Sequence, residues 1–509
     1  MVLVSFMAGL LIAEVGVSCA SAPRDDSRTD STAFPDYLDT SVGQLFEEAA
    51  VRYPGKSGFA IIRHGRQAFT ARIALTELAE KSLDVQYYIW EVDATGRILA
   101  ERLIRAADRG VRVRVLVDDI NLAGRDPLVA AMDAHPGMEV RIFNPFAHRD
   151  RRGIDFLIDL ARINHRMHNK VMIADNAVAI VGGRNIGNHY FEVATDANFR
   201  DLDIAAAGPI VREVSDVFDH FWNGEWAVPI NSLVDRPYTE ADMQAAVATM
   251  RARITEDGYP HPLDQDVDSL TTELASVRDQ FIWAPGQIVW DDPAAVSEGI
   301  THGAMITALF KKVDTLQDEI LIESAYFVMQ ELSIEKIKEL KERGVRVRVM
   351  TNSLASNDVI AAHAGHAKHR KEILEIGVEL YEMRPDAGVF KKSIVSGESK
   401  AALHTKAIVF DRESVFIGSF NLDPRSASIN TEAGLYIESA ELAEQVIAYM
   451  DEGVLPRNSY RVLLDDEGDL VWLTEIDGVE VEFHKDPETG FWDRFVSGLI
   501  ALLPIEHQL

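Results

Sequence analysis

Cysteine is almost missing from this chain: its 509 residues hold one, Cys19. That excludes an intramolecular disulfide and any metal cluster built on cysteines. Basic charge is also scarce, with 51 Lys plus Arg against 81 Asp plus Glu and a net charge of −30. Such a field repels a polyanion unless the cations are gathered in one groove, so nucleic acid is not expected as a partner. It opposes an anionic membrane as well, so any lipid contact has to come from local apolar or basic patches. Disorder is not indicated: hydrophobic residues make up 47% and charged residues 26%, ordinary values for a folded body. The length suggests two or three domains.

What is present begins at the N-terminus, where VLVSFMAGLLIAEVGVSCASAP is an apolar run ending in small residues, as in a secretory signal. Its GVSC ending loosely matches a lipobox and makes Cys19 the candidate for lipidation. Glu14 interrupts the run, no Lys or Arg precedes it, and Gly16 stands where a lipobox usually has leucine. An uncleaved anchor helix is the alternative. Residues 1–19 are read as this signal or lipoprotein-like segment, and residues 20–45, rich in Ser, Asp, Thr and Pro, as a flexible tether.

Two distant segments then say the same thing. HNKVMIADNAVAIVGGRN runs from His168 to Asn185, and HTKAIVFDRESVFIGSFN from His404 to Asn421, at a constant offset of 236 residues. This is an internal duplication. Upstream of each copy lies an apolar strand, LDVQYYIW or ILIESAYFV, followed by a helix ending at Gly110 or Gly344 and a β-branched strand. Strand, helix, strand in that order implies βαβ crossovers with parallel pairing. The division expected is a first half over 46–236, a more helical and acidic linking insertion over 237–295, a second half over 296–460, and a tail over 461–509. In the tail, Phe491, Trp492, Phe495, Val496, Leu499, Ile500 and Leu503 form one broad apolar face if helical. That face suits either a membrane interface or docking on the core.

Read as a strand, the motif puts His168, Lys170, Met172 and Ala174 on one face and Asn169, Val171, Ile173 and Asp175 on the other. Asp175 falls where the apolar run stops and looks like a turn residue. The next strand follows at once, so a hairpin centred between Asn176 and Ala177 is expected, with His168 opposite Asn185 and Lys170 opposite Gly183. In the second copy His404 falls opposite Asn421 and Lys406 opposite Ser419. The small residues Gly183 and Ser419 would let a bulky phosphodiester approach the backbone.

Two His, two Lys and two Asn in one place suit phosphodiester transfer. Histidine attacks or moves a proton near neutral pH, and lysine neutralises phosphoryl oxygens as charge builds on them. A nucleophilic histidine needs its other ring nitrogen held by an acceptor. Candidates follow each motif: Asp201 after the first and Glu432 after the second. A lone His-x-Lys is usually a surface accident, but its duplication with matching asparagines is not. A zinc reading is poorer, because His165 and His168 are spaced for a helix and no acidic or cysteine ligands cluster with them.

With these residues in view, the chain resembles the phospholipase D superfamily, marked by paired HxKx4D motifs followed by Gly-Gly or Gly-Ser and Asn. The stretches LDVQYYIW, FNPF, RMHNK, VGGRNIGNHYF, TNSLASNDV, GVELYEM, GSFNLDPRSASINTE and the closing FW and LLPIE are most similar to bacterial cardiolipin synthases of the third type. The resemblance implies an α/β fold of two duplicated halves, with mixed β-sheets flanked by helices and the active site at their interface. It implies that His168, Lys170, His404 and Lys406 are catalytic, groups Asp175 and Asp411 with them as motif members, and makes Asn185 and Asn421 phosphate ligands. It calls for no metal and no cofactor. The activity implied is transfer of a phosphatidyl group to phosphatidylglycerol, with phosphatidylglycerol or phosphatidylethanolamine as donor, at a membrane surface in a bacterial envelope. With the N-terminal segment, a lipid anchor on the periplasmic side is the expectation. The transfer implied runs through a phosphohistidine, an intermediate that a phospholipase D using water as acceptor shares, and a nuclease of the superfamily is disfavoured by charge and by the tail.

Overall fold

The repeat in sequence becomes two like sheets in the computed structural model, which describes residues 28–260, 267–294, 303–388 and 399–501. Cys19, the segment 1–19, Leu503 and the LLPIE stretch lie outside the described residues. In the nine-stranded first sheet, Ser82–Tyr87, Arg112–Asp118 and Met138–Phe143 run parallel, and Lys170–Ala174 pairs antiparallel to the first of them. The ten-stranded second sheet repeats this with Glu319–Ser324, Arg346–Asn352 and Glu379–Met383 parallel, and Lys406–Phe410 beside the first.

The crossover helices Ala94–Asp108 and Glu331–Glu342 stop at Gly110 and Gly344, whose φ angles are +92° and +81°. Glycine takes this left-handed position without steric cost, and the next N–H, of Val111 or Val345, closes the helix end on Ala106 O or Leu340 O.

The alternation along each motif strand decides how the halves meet. Val171 and Ile173 of the first half, and Ala407 and Val409 of the second, turn into one shared core between the sheets. The helices Pro209–Asn223 and Ala440–Gly453 complete that core. Met172 and Ala174 turn the other way, into the first half's outer core. Slipping the strand by one residue would exchange these faces, so burial on both sides fixes the register.

The hairpins differ from expectation by one residue. Val171 pairs with Val181 and Ala407 with Ile417, so the ladders do not set His168 against Asn185 or His404 against Asn421. The turns centre one position earlier than expected, on Asp175–Asn176 and Asp411–Arg412, all four at φ between 49° and 57°. Ala177 N then bonds Ala174 O, Glu413 N bonds Phe410 O, and Ala177 or Glu413 is left as an extra residue before pairing resumes. Asp and Asn tolerate left-handed backbone better than most residues.

Asp175 and Asp411, which the family motif groups with the catalytic residues, therefore sit at the end of the strand opposite their histidines. The Asp175 carboxylate accepts the backbone N–H groups of Glu80, Lys81 and Ser82 at 2.8–2.9 Å. Asp411 does the same for Gln317, Asp318 and Glu319 at 2.9 Å. Each aspartate ties the motif hairpin to the start of the neighbouring parallel strand.

The outer segments are more integrated than the sequence suggests. The helix Ser41–Ala50 begins within the expected tether and runs on into the first half, Arg28 donates to Asn223 O, and Ser31 N donates to Asn223 Oδ1. Buried Arg114 takes Ser31 O at 2.8 Å, which fixes residues that composition alone reads as a tether. The linking insertion ends in two short strands, Ile282–Ala284 on the edge of the first sheet and Gly286–Trp290 on the edge of the second. The tail's Leu470–Ile476 and Val479–Phe483 extend the second sheet beyond Ser459–Leu464.

Replacing Asp175 by Ala leaves three backbone donors without their acceptor. The expected cost is about 2–5 kcal/mol of stability, read as a lower urea midpoint at unchanged slope; an unaltered midpoint contradicts the anchoring role.

Candidate active site

Each histidine is reached by backbone from the other half. Ala197–Arg200 pairs in parallel with Lys400–Leu403, and His404 N and Thr405 N both donate to Arg200 O, at 2.7 and 3.1 Å. Asp201 follows immediately and lies 2.6 Å from His404 Nδ1. On the other side Met167 bridges Thr431, His168 N donates to Thr431 O at 2.9 Å, and Glu432 follows. Its two carboxylate oxygens lie 2.9 and 3.0 Å from His168 Nδ1. The acids that follow each motif thus serve the histidine of the opposite half.

A carboxylate accepting from Nδ1–H leaves the lone pair on Nε2. Both imidazoles are therefore oriented as bases. Lys170 Nζ donates to His168 O at 2.5 Å, and Lys406 Nζ to His404 O at 2.7 Å, so each lysine folds back beside its histidine. Lys406 Nζ also lies 3.1 and 3.3 Å from the His404 ring nitrogens. All four side chains are buried.

Gly183 and Ser419 serve the acids rather than open room for a ligand. A Cβ on Gly183 would stand 2.2 Å from Asp201 Oδ1, so glycine there is what admits the carboxylate. The Ser419 hydroxyl donates to Glu432 Oε2, and the Ser426 hydroxyl to Oε1 at 2.7 Å. Asn185 is spent within its own half, with Oδ1 accepting from Ile89 N at 3.1 Å and Nδ2 donating to the Tyr190 hydroxyl at 3.0 Å. Asn421 differs: its Oδ1 is buried and makes no hydrogen bond among the described residues. His165, weighed above as a zinc ligand, bonds Ile429 O through Nδ1 at 2.6 Å.

Burial and like charge set the protonation states. His404 is pushed down to about 4 by burial and by Lys406, with Asp201 opposing. His168 is held well below its ordinary value by burial, Lys170 and Lys406. Both lysines are lowered as well, by burial first. The acids diverge. Burial raises Asp201, but His404, Lys406 and Arg184 together outweigh it and keep the carboxyl below its usual range. Glu432 is pushed up to about 7 by burial, with Lys170 pulling the other way. Near neutrality Asp201 is ionised, whereas the Glu432–His168 pair shares a proton.

Sequence reasoning missed the aromatic walls. Tyr88 meets His168 edge-on at 4.8 Å between ring centroids, and Tyr190 meets His404 at 5.1 Å, with Phe199 at 5.2 Å. Tyr88 and Tyr190 stand inside stretches already singled out, LDVQYYIW and NHYF, but nothing in the spacing marks them as neighbours of the histidines. Ser426 was unmarked for the same reason.

Two oriented imidazoles, two lysines and an ionised or proton-bearing acid behind each histidine can carry a nucleophilic displacement at phosphorus with proton transfer on the opposite side. A family model described as "Cardiolipin synthase, PLD-like domain" matches residues 73–222 and 309–453, the two halves that hold the motifs. The chain belongs to this phospholipase D-like family. Cardiolipin synthase C of Escherichia coli (strain K12) is 38% identical over 90% of this chain and 97% of its own length. An uncharacterized protein of Helicobacter pylori (strain J99) is 29% identical over 91% of this chain and 92% of its own. Among solved structures, a phosphatidylserine synthase from Haemophilus influenzae Rd KW20 superposes with a TM-score of 0.56 at 14% identity, covering 80% of this chain and 90% of that one, a likeness of fold.

The divergence of the two acids gives this phospholipase D-like site an expected pH profile. kcat/KM should fall toward pH 4 as His404 gains a proton, and again above about pH 7 as the Glu432–His168 pair loses its proton. Glu432→Gln should remove the alkaline limb and Asp201→Asn should keep it; an alkaline limb retained in E432Q contradicts the assignment.

Proposed function

We propose that the protein is a phosphatidyltransferase that makes cardiolipin by moving a phosphatidyl group onto the hydroxyl of phosphatidylglycerol. The observation that carries this reading is the exchange of acids: two His–Lys arms, each histidine oriented by a carboxylate from the other half, converge on one buried place. One Nε2 attacks phosphorus and forms a phosphohistidine while the other imidazole protonates the departing alcohol, glycerol from phosphatidylglycerol or ethanolamine from phosphatidylethanolamine. The second imidazole then takes the proton of the acceptor hydroxyl, whose oxygen attacks phosphorus and frees the histidine. Lys170, Lys406 and Asn421 hold the phosphoryl oxygens, and Asp201 and Glu432 keep the imidazoles aimed. The 38% identity to Cardiolipin synthase C over nearly the whole of both chains supports the acceptor.

A lipid substrate agrees with what the surface presents. In the helix Phe491–Ala501, Phe491, Trp492, Phe495 and Leu499 are 67, 71, 50 and 46% exposed, while Ser497 is buried against the body. The apolar face therefore points outward rather than docking on the core. Leu157, Ile158 and Leu160, just ahead of RMHNK, are exposed too. Among the described residues no helix is long and apolar enough to cross a membrane. On this reading the protein meets a bacterial membrane through these apolar patches, with Cys19 as the candidate anchor on the periplasmic side.

Expression in a cardiolipin-deficient bacterium should restore cardiolipin, and a His168→Ala, His404→Ala double variant should not. Phosphatidic acid without cardiolipin would make the enzyme a hydrolase. Replacing Phe491, Trp492 and Phe495 together by Ser should weaken binding to phosphatidylglycerol vesicles at least about tenfold, since three buried aromatic side chains are lost; unchanged vesicle binding removes the helix from the contact.

A further inference from the structure

Next to Lys406 on the outer face of the second sheet stands Ile408, and with Ile320 and Ile322 of the adjacent strand it lines a cavity of about 370 Å³. The helices Ala304–Val313 and Glu331–Glu342 form the opposite wall, through side chains such as Leu309 and Ile337. The lining is mainly apolar, with the charged side chains Lys311, Asp314, Lys336 and Asp423 among it. Protein interiors rarely leave voids larger than a water molecule, and an apolar cavity favours an apolar guest over water. The volume lies within the range of ligand pockets, roughly 300–1,000 Å³.

The first half shows how the duplicated fold fills this region. On its outer face, Phe69 of the corresponding helix packs on Phe191 at 4.8 Å. From the same helix, buried Arg72 bridges the Tyr87 hydroxyl and Asp203, each at 2.9 Å. In the second half Ala427 stands 236 residues after Phe191, and its smaller side chain lines the cavity.

One end of the cavity belongs to the active-site segment. Phe420, Leu422 and Asp423, which flank Asn421, all line it. Leu422 N donates to Ser324 Oγ at 3.0 Å, and Ser324 stands opposite Lys406 in the ladder. The Asp423 carboxyl is pushed up to about 7 by burial, which eases its protonation beside an apolar guest. The other end reaches Leu332, which is 45% exposed.

We propose that this cavity takes one fatty acyl chain of a phospholipid whose phosphate is held at Lys406 and Asn421. The inference rests on the phosphatidyl-transfer reading and names where that substrate keeps its tail. The second half is then the arm that grips a lipid by its chain.

The test uses the full wild-type chain and phosphatidylglycerol carrying a photoreactive diazirine near the end of one acyl chain, with the adducts mapped by mass spectrometry. Adducts on Ala304–Val313 and Glu331–Glu342 are expected; adducts confined to other elements, such as Phe491–Ala501, overturn the proposal. A second measurement compares turnover of dioleoyl with dihexanoyl phosphatidylglycerol in an Ile306→Trp variant that narrows the cavity. The long-to-short ratio should fall at least tenfold from the wild-type ratio, and an unchanged ratio in a variant of unchanged unfolding temperature speaks against the site. Adducts on the two helices in a wild-type protein that makes neither cardiolipin nor phosphatidic acid would keep the acyl site and remove the transferase reading.

Discussion

The bond between an imidazole of one half and a carboxylate of the other is the constraint on which the rest of this structure depends. Asp201 lies 2.6 Å from His404 Nδ1 and Glu432 2.9 Å from His168 Nδ1, so neither half alone holds an oriented histidine. A buried carboxylate is costly unless it is paired, and pairing requires the halves to dock within a few tenths of an ångström. The shared apolar core, the parallel pairing of Ala197–Arg200 with Lys400–Leu403, and the Met167–Thr431 bridge all serve that docking. Arg200 adds to it, lying 3.6 Å from the centre of the Tyr449 ring and 3.4 Å from Glu323. Duplication here has produced one site, built twice and then crossed over.

The crossing also explains why nearly identical motifs end in different electrostatics. Gly183 admits Asp201 close to His404, where Leu202 N also donates to its carboxylate, whereas Ser419 and Ser426 both donate to Glu432. Even with those two donors, burial keeps the Glu432 carboxyl high, and it has Asp291 as an acidic neighbour. One arm therefore rests as imidazole on a carboxylate and the other as a proton-sharing pair. A displacement that needs a base and an acid at the same moment finds the two states already separated.

Much of this was legible because burial writes itself into periodicity. Val171 and Ile173 against Lys170 and Met172 announced the two faces of the motif strand, and the constant offset announced the second half. Gly110 and Gly344 marked the helix ends because only a left-handed residue closes them. The exchange of acids was not legible, since pairing between segments some 200 residues apart leaves no local trace and either acid fits either histidine by composition. The hairpin centre slipped by one because a bulge adds a residue that alternation cannot count. Residues 28–40 read as a tether because their anchors, Arg114 and Asn223, lie far along the chain.

The strongly acidic surface and the cation-rich site are not in conflict. At long range the net charge of −30 is screened within about 10 Å at ordinary salt, whereas Lys170 and Lys406 act at contact distance in a buried place. Burial there depresses both lysines and both histidines, so the site rests with less positive charge than its composition suggests. An entering phosphodiester carries the negative charge that raises those values again. On the proposed mechanism binding and protonation are thereby coupled: the anion restores the lysine charge assigned to stabilising its own transition state, and a neutral guest would not. The acids behind the histidines cannot substitute for that anion, because each is already committed to an imidazole. On the proposed mechanism, the preference for an anionic over a neutral guest follows from the same crossed pairing that orients the histidines.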